Sequence, residues 1–127
     1  MNRSRLALAL AATVAVTGLA GATPALAQGG GGVSAKAACS TGTIALKAKH
    51  DNGRIQIESE VDTNRVGQVW AVTITDDKAP VLSVKRTTLA PSGSFTVRVL
   101  TADRAGADVV TVRATRGATV CTTHVSL

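Results

Sequence analysis

The sequence predicts an all-β fold, seven short strands arranged as a Greek-key sandwich, and three observations carry that prediction. The first is the run from Arg54 to Asp62, in which Ile55, Ile57, Ser59 and Val61 alternate with Arg54, Gln56, Glu58, Glu60 and Asp62. Period two puts all the apolar side chains on one side of a pleated strand, where a helix would scatter them. The second is a polar turn followed by another alternating run with Trp70, Val72 and Ile74 on one face. The third is the recurrence of this pattern downstream, each stretch closed by turn-forming residues. A small β-barrel is the alternative way to close the same strands.

The chain opens on a different theme. Met1, Arg3 and Arg5 lead into an uncharged apolar run that continues to Leu19, is broken by Gly18, Gly21 and Pro24, and ends in Ala25-Leu26-Ala27. A basic start, a short apolar core and small residues around a cleavage point are the parts of a secretory signal peptide, expected over residues 1–27. The run is shorter than the roughly 20 residues that span a bilayer as a helix, which disfavours a retained anchor. Arg3 and Arg5 are not adjacent, which disfavours a twin-arginine signal. Lys36 and the distance from the apolar core argue against lipidation at Cys39. No later segment is long and apolar enough to cross a membrane, so no membrane span is expected after signal cleavage, and the protein is expected to be secreted.

Residues 28–38, Gln28-Gly-Gly-Gly-Gly-Val-Ser-Ala-Lys-Ala-Ala38, have the composition of a flexible Gly-rich linker with little to bury. The sandwich domain is expected over residues 39–127, a length suited to one domain that benefits from a covalent staple. Without Arg3 and Arg5 the 14 basic residues become 12 against 8 acidic ones, a net charge of +4. That is a mild excess with no basic run, and only one Trp and one Phe could stack on bases, so no nucleic acid is expected as partner.

Strands are expected at 43–49, 54–62, 68–75, 81–86, 94–100, 108–115 and 119–126. The turns between them are Asp51-Asn52-Gly53, Asp62-Thr63-Asn64, Asp76-Asp77, Pro91-Ser92-Gly93, Ala105-Gly106 and Arg116-Gly117. Trp70 would be the central core residue. The two cysteines, Cys39 and Cys121, lie at opposite ends of the domain and read as a disulfide in an exported protein. A zinc site is disfavoured, because no C-x-x-C or H-x-H accompanies them and His124 falls on the opposite strand face from Cys121.

Gly53-Arg-Ile-Gln-Ile-Glu58, Val61-Asp-Thr-Asn-Arg-Val-Gly-Gln68, Ala90-Pro-Ser-Gly-Ser-Phe-Thr-Val97 and Arg104-Ala-Gly-Ala-Asp108 together resemble small exported actinobacterial proteins of uncharacterised function. The order of strands is also similar to that of immunoglobulin-like modules. That resemblance implies an immunoglobulin-like sandwich with the first, second and fifth strands in one sheet and the third, sixth and seventh in the other. The chain lacks the inter-sheet disulfide of the second and sixth strands of true immunoglobulin domains, and shared fold does not supply function.

Residues that could carry chemistry are few. His50 sits at a strand end and His124 on the outward face of the last strand; Ser92 and Ser94 flank Gly93 without forming a G-x-S-x-G elbow. The chain is therefore read as non-enzymatic, with no catalytic residues and no cofactor. Loops after the first, third and fifth strands should share one end, gathering Asp51, Asn52, Asp76, Asp77, Asp103 and Asp108. Such oxygens suit Ca²⁺, but Asp and Asn also fill turns for backbone reasons, and without a recognised calcium loop the turn reading is preferred and no metal is assigned. Carbohydrate binding lacks exposed aromatic platforms, and a ligand carrier usually needs an apolar cleft, for which aromatics are scarce here. A secreted enzyme inhibitor would use Thr87-Thr88-Leu89-Ala90-Pro91 as its exposed loop.

The outward faces differ. Lys47, Lys49, Arg54, Gln56, Glu58, Glu60 and Arg98 make the first sheet's outer face charged and mixed in sign. The second sheet turns out Val69, Ala71, Thr73, Val109, Thr111, Val120, Thr122 and His124, with Arg113 the only obligate charge. Interface cores are depleted in charge, so this second face is the candidate surface for an unidentified protein partner or for self-association. Val and Thr are also ordinary strand formers on an exposed face. The functional expectation is a secreted protein-interaction module, with an inhibitor or small-ligand carrier as alternatives.

Overall fold

A computed structural model describes residues 31–127. The expected signal peptide, residues 1–27, and positions 28–30 of the expected linker lie outside the described residues. Eight strands follow: β1 (Val33–Cys39), β2 (Gly42–Asp51), β3 (Arg54–Asp62), β4 (Val69–Asp76), β5 (Ala79–Thr87), β6 (Ser94–Ala102), β7 (Val109–Arg116) and β8 (Thr119–Ser126). They form two antiparallel four-stranded sheets, β1-β2-β3-β6 and β5-β4-β7-β8, stacked as a sandwich and not closed as a barrel. The expected grouping of strands 43–49, 54–62 and 94–100 against 68–75, 108–115 and 119–126 is the grouping found, as β2-β3-β6 against β4-β7-β8.

The strand count is corrected from seven to eight. The additional strand, β1, occupies most of the stretch expected to be a flexible linker. Val33, Ala35, Ala37 and Cys39 are partly buried, while Ser34, Lys36 and Ala38 are exposed. Alternation was thus present, but written in alanine, which has weak strand preference and carries little apolar surface. Pairing supplies what the side chains lack: β1 runs in register with β2 from Val33 opposite Ala48 to Cys39 opposite Gly42.

The core lies between the sheets. Ile44 and Leu46 of β2, Ile55, Ile57 and Val61 of β3, Val72 and Ile74 of β4, and Val110 and Val112 of β7 are almost wholly buried. Trp70 is 1% exposed, as its phase requires. Burying each such side chain favours folding by about 1.5–3 kcal/mol. Ser59, the polar member of β3's inward row, is also buried, and its hydroxyl donates to the Ala45 carbonyl at 2.9 Å.

Cys39 and Cys121 form the expected disulfide, with Cα atoms 5.2 Å apart and a sequence separation of 82. It joins β1, an edge strand of one sheet, to β8, an edge strand of the other, and so ties the sandwich shut along one open side. Among the described residues no helix is long and apolar enough to cross a membrane.

Candidate functional site

The outer face of the second sheet is built by strand register. Ala71 on β4 lies opposite Thr115 on β7, which lies opposite Val120 on β8. The next row is Thr73, Arg113 and Thr122, and the row after it pairs Thr111 with His124. Val69, Thr73, Val109, Val120, Thr122 and His124 are exposed, and Ala71 and Thr111 are partly so. The eight residues therefore share one outward surface. Two of the threonines turn their hydroxyls into the sheet: Thr122 donates to the Val112 carbonyl at 2.9 Å and Thr73 to the Arg113 carbonyl at 3.4 Å. Their own polarity is partly spent on the backbone.

Arg113 is not this face's only obligate charge, because β5 completes the sheet beside β4. Lys85 lies opposite Ala71, and Ser83 opposite Thr73. The sequence predicts the strand containing Lys85 but not its place beside β4, which adds this charge to the face. Across these rows the face presents cations and no carboxylate. The first sheet's outer face is different in kind. Glu58 stands between Lys47 on β2 and Arg98 on β6, and the Arg98 Nε donates to the Glu58 Oε2 at 2.7 Å. That hydrogen bond, with the positive charges of Arg98 and Lys47, holds the Glu58 carboxyl below its usual range.

One end of the sandwich collects carboxylates. The β2–β3 turn, the β4–β5 turn and the β6–β7 loop meet there, as expected: the Asp103 amide donates to the Gly53 carbonyl at 3.2 Å and the Asp77 amide to the Val109 carbonyl at 2.9 Å. Carboxylate oxygens of Asp76, Asp77 and Asp108 lie within 4.8 Å of one another. Asp77 is exposed and its Oδ1 accepts from the Val109 amide at 2.9 Å. Asp76 and Asp108 are 1% and 0% exposed. All four of their carboxylate oxygens lack a hydrogen-bond partner among the described residues. Burial, reinforced by the negative charge of Asp76 and by Asp103, pushes the Asp108 carboxyl up to about 6. Asp51 and Asn52 belong to the same end but not to the three-carboxylate cluster.

Other candidates separate in space. His50 Nδ1 and the Asp103 Oδ2 are 2.9 Å apart, a contact that ties the end of β2 to the β6–β7 loop. Ser92, in the β5–β6 connection, and Ser94, the first residue of β6, have hydroxyls 2.6 Å apart and lie at the opposite end. The loop expected to serve an inhibitor is firmly held. Buried Thr88 accepts from the Gln68 amide at 2.9 Å through its hydroxyl, which in turn donates to the Arg65 carbonyl. Gly93 closes the loop at φ 73, where an added Cβ would stand 2.2 Å from the Arg65 nitrogen. Leu89, beside Thr88, is 61% exposed.

No family model, no curated protein and no solved structure matches this chain. The resemblance to small exported actinobacterial proteins gains no relative from these comparisons, and the two-sheet sandwich with its disulfide stands on the strand pairing itself.

Proposed function

We propose that the chain is an exported, non-enzymatic protein-interaction module with an immunoglobulin-like sandwich, binding through the outer face of the β5-β4-β7-β8 sheet. The observation that carries this reading is the composition of that face: exposed Val69, Val109 and Val120, threonines bonded back to the sheet, and Lys85 and Arg113 without a carboxylate. A flat surface depleted in charge matches the centre of a protein interface. The residual cations define the partner as a protein presenting a flat surface with carboxylates opposite Lys85 and Arg113. Two copies of this face would oppose cation to cation, which disfavours self-association. Export is supported by the signal-like start and by the disulfide, since such bonds persist in oxidising compartments. An immunoglobulin-like topology is supported by β2-β3-β6 opposing β4-β7-β8, with β1 as an added edge strand.

A photoactivatable residue placed at Val109 or Thr122 in the producing cell tests this reading. A single crosslinked heterologous protein, lost when Arg113→Glu is added and not captured from Gln56 or Thr96 on the other sheet, is the expected result. Equal capture from both sheets, or crosslinks to this chain alone, would overturn it.

A second reading, enzyme inhibition, is favoured by one observation: Leu89 is 61% exposed on a loop fixed by buried Thr88. Preorganised loops bind with less ordering cost. Inhibition of a secreted protease that Leu89→Gly removes would establish it, and no inhibition across a protease and amylase panel would dismiss it.

A further inference from the structure

Asp76 and Asp108 are placed where a carboxylate is hardest to keep. Asp76 continues the inward row of Trp70, Val72 and Ile74, and Asp108 precedes inward Val110 by two positions. Both side chains therefore enter the layer between the sheets. Among the described residues, no Lys, Arg or His forms an ion pair with Asp76, Asp77 or Asp108. Among the described residues no N–H or O–H donor meets the oxygens of the two buried ones.

Turn chemistry does not account for these two acids. Asp77, with φ 46, is a turn residue and explains itself; neither Asp76 nor Asp108 has a positive φ. A buried carboxylate without donor or counter-charge is strongly disfavoured, and two facing each other more so. Something must neutralise them.

We propose that Asp76, Asp77 and Asp108 form a Ca²⁺ site that closes the β4–β5 end of the sandwich. The donors are all carboxylate oxygens, with neither His nor Cys in the cluster, which suits a hard cation and not zinc. Oxygens bound to one Ca²⁺ at about 2.3–2.6 Å stand up to roughly 5 Å apart when they face across the ion. The observed spread, within 4.8 Å, falls inside that limit. Mg²⁺ demands a tighter octahedron and keeps much of its water, which a pair of fully buried carboxylates does not favour. Asp77 keeps its Oδ2 for the ion while its Oδ1 holds the Val109 amide. A Kd of about 10⁻⁴–10⁻³ M, the range of extracellular calcium modules, is expected.

The test is thermal unfolding and calorimetric titration of the purified protein, with EGTA or with added CaCl₂, MgCl₂ or ZnCl₂. About 5 mM Ca²⁺ should raise the melting temperature by about 5–10 °C over EGTA, with one calorimetric site. Asp76→Asn and Asp108→Asn should each remove the rise, and Asp51→Asn, outside the cluster, should keep it. The wild-type measurement stands if a variant fails to fold. Equal melts in Ca²⁺ and EGTA with a silent titration would overturn the site and leave a proton shared between the carboxyls as the neutralising agent. A stronger response to Mg²⁺ or Zn²⁺ would overturn the choice of ion, and a Ca²⁺ response surviving both asparagine variants would overturn the location.

Discussion

Buried Asp108 makes the stability of the metal-free protein depend on pH in a direction opposite to ordinary acid denaturation. Asp108 is raised from 3.8 to about 6, first by burial and then by the charge of Asp76, with Asp103 contributing. A group whose folded pKa is raised stabilises the fold while protonated, fully below its unfolded value, and that stabilisation disappears as pH climbs through the folded value. Between about pH 5 and about pH 7.5 the loss amounts to about 1.4 kcal/mol, or about 7 °C for a domain of about 100 residues. The perturbation is a pH series in EGTA, read by the near-ultraviolet signal of buried Trp70. Asp108→Asn supplies the control: its amide keeps the shape, removes the charge and can donate to Asp76, so it should melt higher than wild type at pH 7.5. The difference between the two proteins should shrink as pH falls toward 5. Glu58, held below its usual range by Arg98, loses its contribution only at more acidic pH and in the opposite sense. A wild-type melt that stays level across this window, or an Asp108→Asn protein that melts lower throughout, would refute the burial argument.

Three further outcomes follow from the same structure. Reduction of Cys39–Cys121 should lower stability by up to about 4.5 kcal/mol in the chain-entropy model, given the separation of 82 residues, and exchange protection should be lost first in β1. Thr88→Val should cost about 1–3 kcal/mol in denaturant unfolding, because the part-buried Gln68 backbone amide loses its acceptor, and any inhibitory activity of Leu89 should fall with it. Val109→Lys and Thr122→Glu should leave the melting temperature nearly unchanged, since both side chains face outward; unfolding of either variant would show the face to be packed.

How much of this was legible can be argued residue by residue. Period two located every strand whose inward row is branched or aromatic, because Ile55-Ile57 or Trp70-Val72-Ile74 leaves no other arrangement in a small domain. The strand written in alanine, β1, was hidden by the Gly run before it and by its lack of apolar weight. The outward face was readable for β4, β7 and β8 and incomplete for want of β5. That edge strand carries Pro80, and its pairing with β4 shifts register between Ile74 and Thr75, opposite Leu82 and Pro80, so its phase does not follow simple alternation. The acidic site had a signal that composition alone obscures. Counting by two from Ile74 lands on Asp76, and counting back from Val110 lands on Asp108. As aspartates beside turns both read as turn residues, although the phase of their neighbours turns them inward.

The acidic end and the candidate binding face are not separate features. Val109, exposed on that face, is held through its own backbone to Asp77: its amide donates to the Asp77 Oδ1 and its carbonyl accepts from the Asp77 amide, both at 2.9 Å. Thr111, next outward on β7, lies opposite Thr75, the residue before Asp76. The last row of the face thus rests on the turn that follows buried Asp76, beside buried Asp108. Charge left unneutralised there would push the β4–β5 turn away from the start of β7, and Val109 would move with it. Whatever neutralises Asp76 and Asp108 therefore also fixes the edge of the surface that the neighbouring strands present. The opposite edge is fixed independently, by a covalent bond from β8 to the other sheet. A sheet face pinned at one margin by a disulfide, and at one end by a neutralised acidic cluster, would have little freedom left to lose, and binding through such a face would carry a small ordering cost.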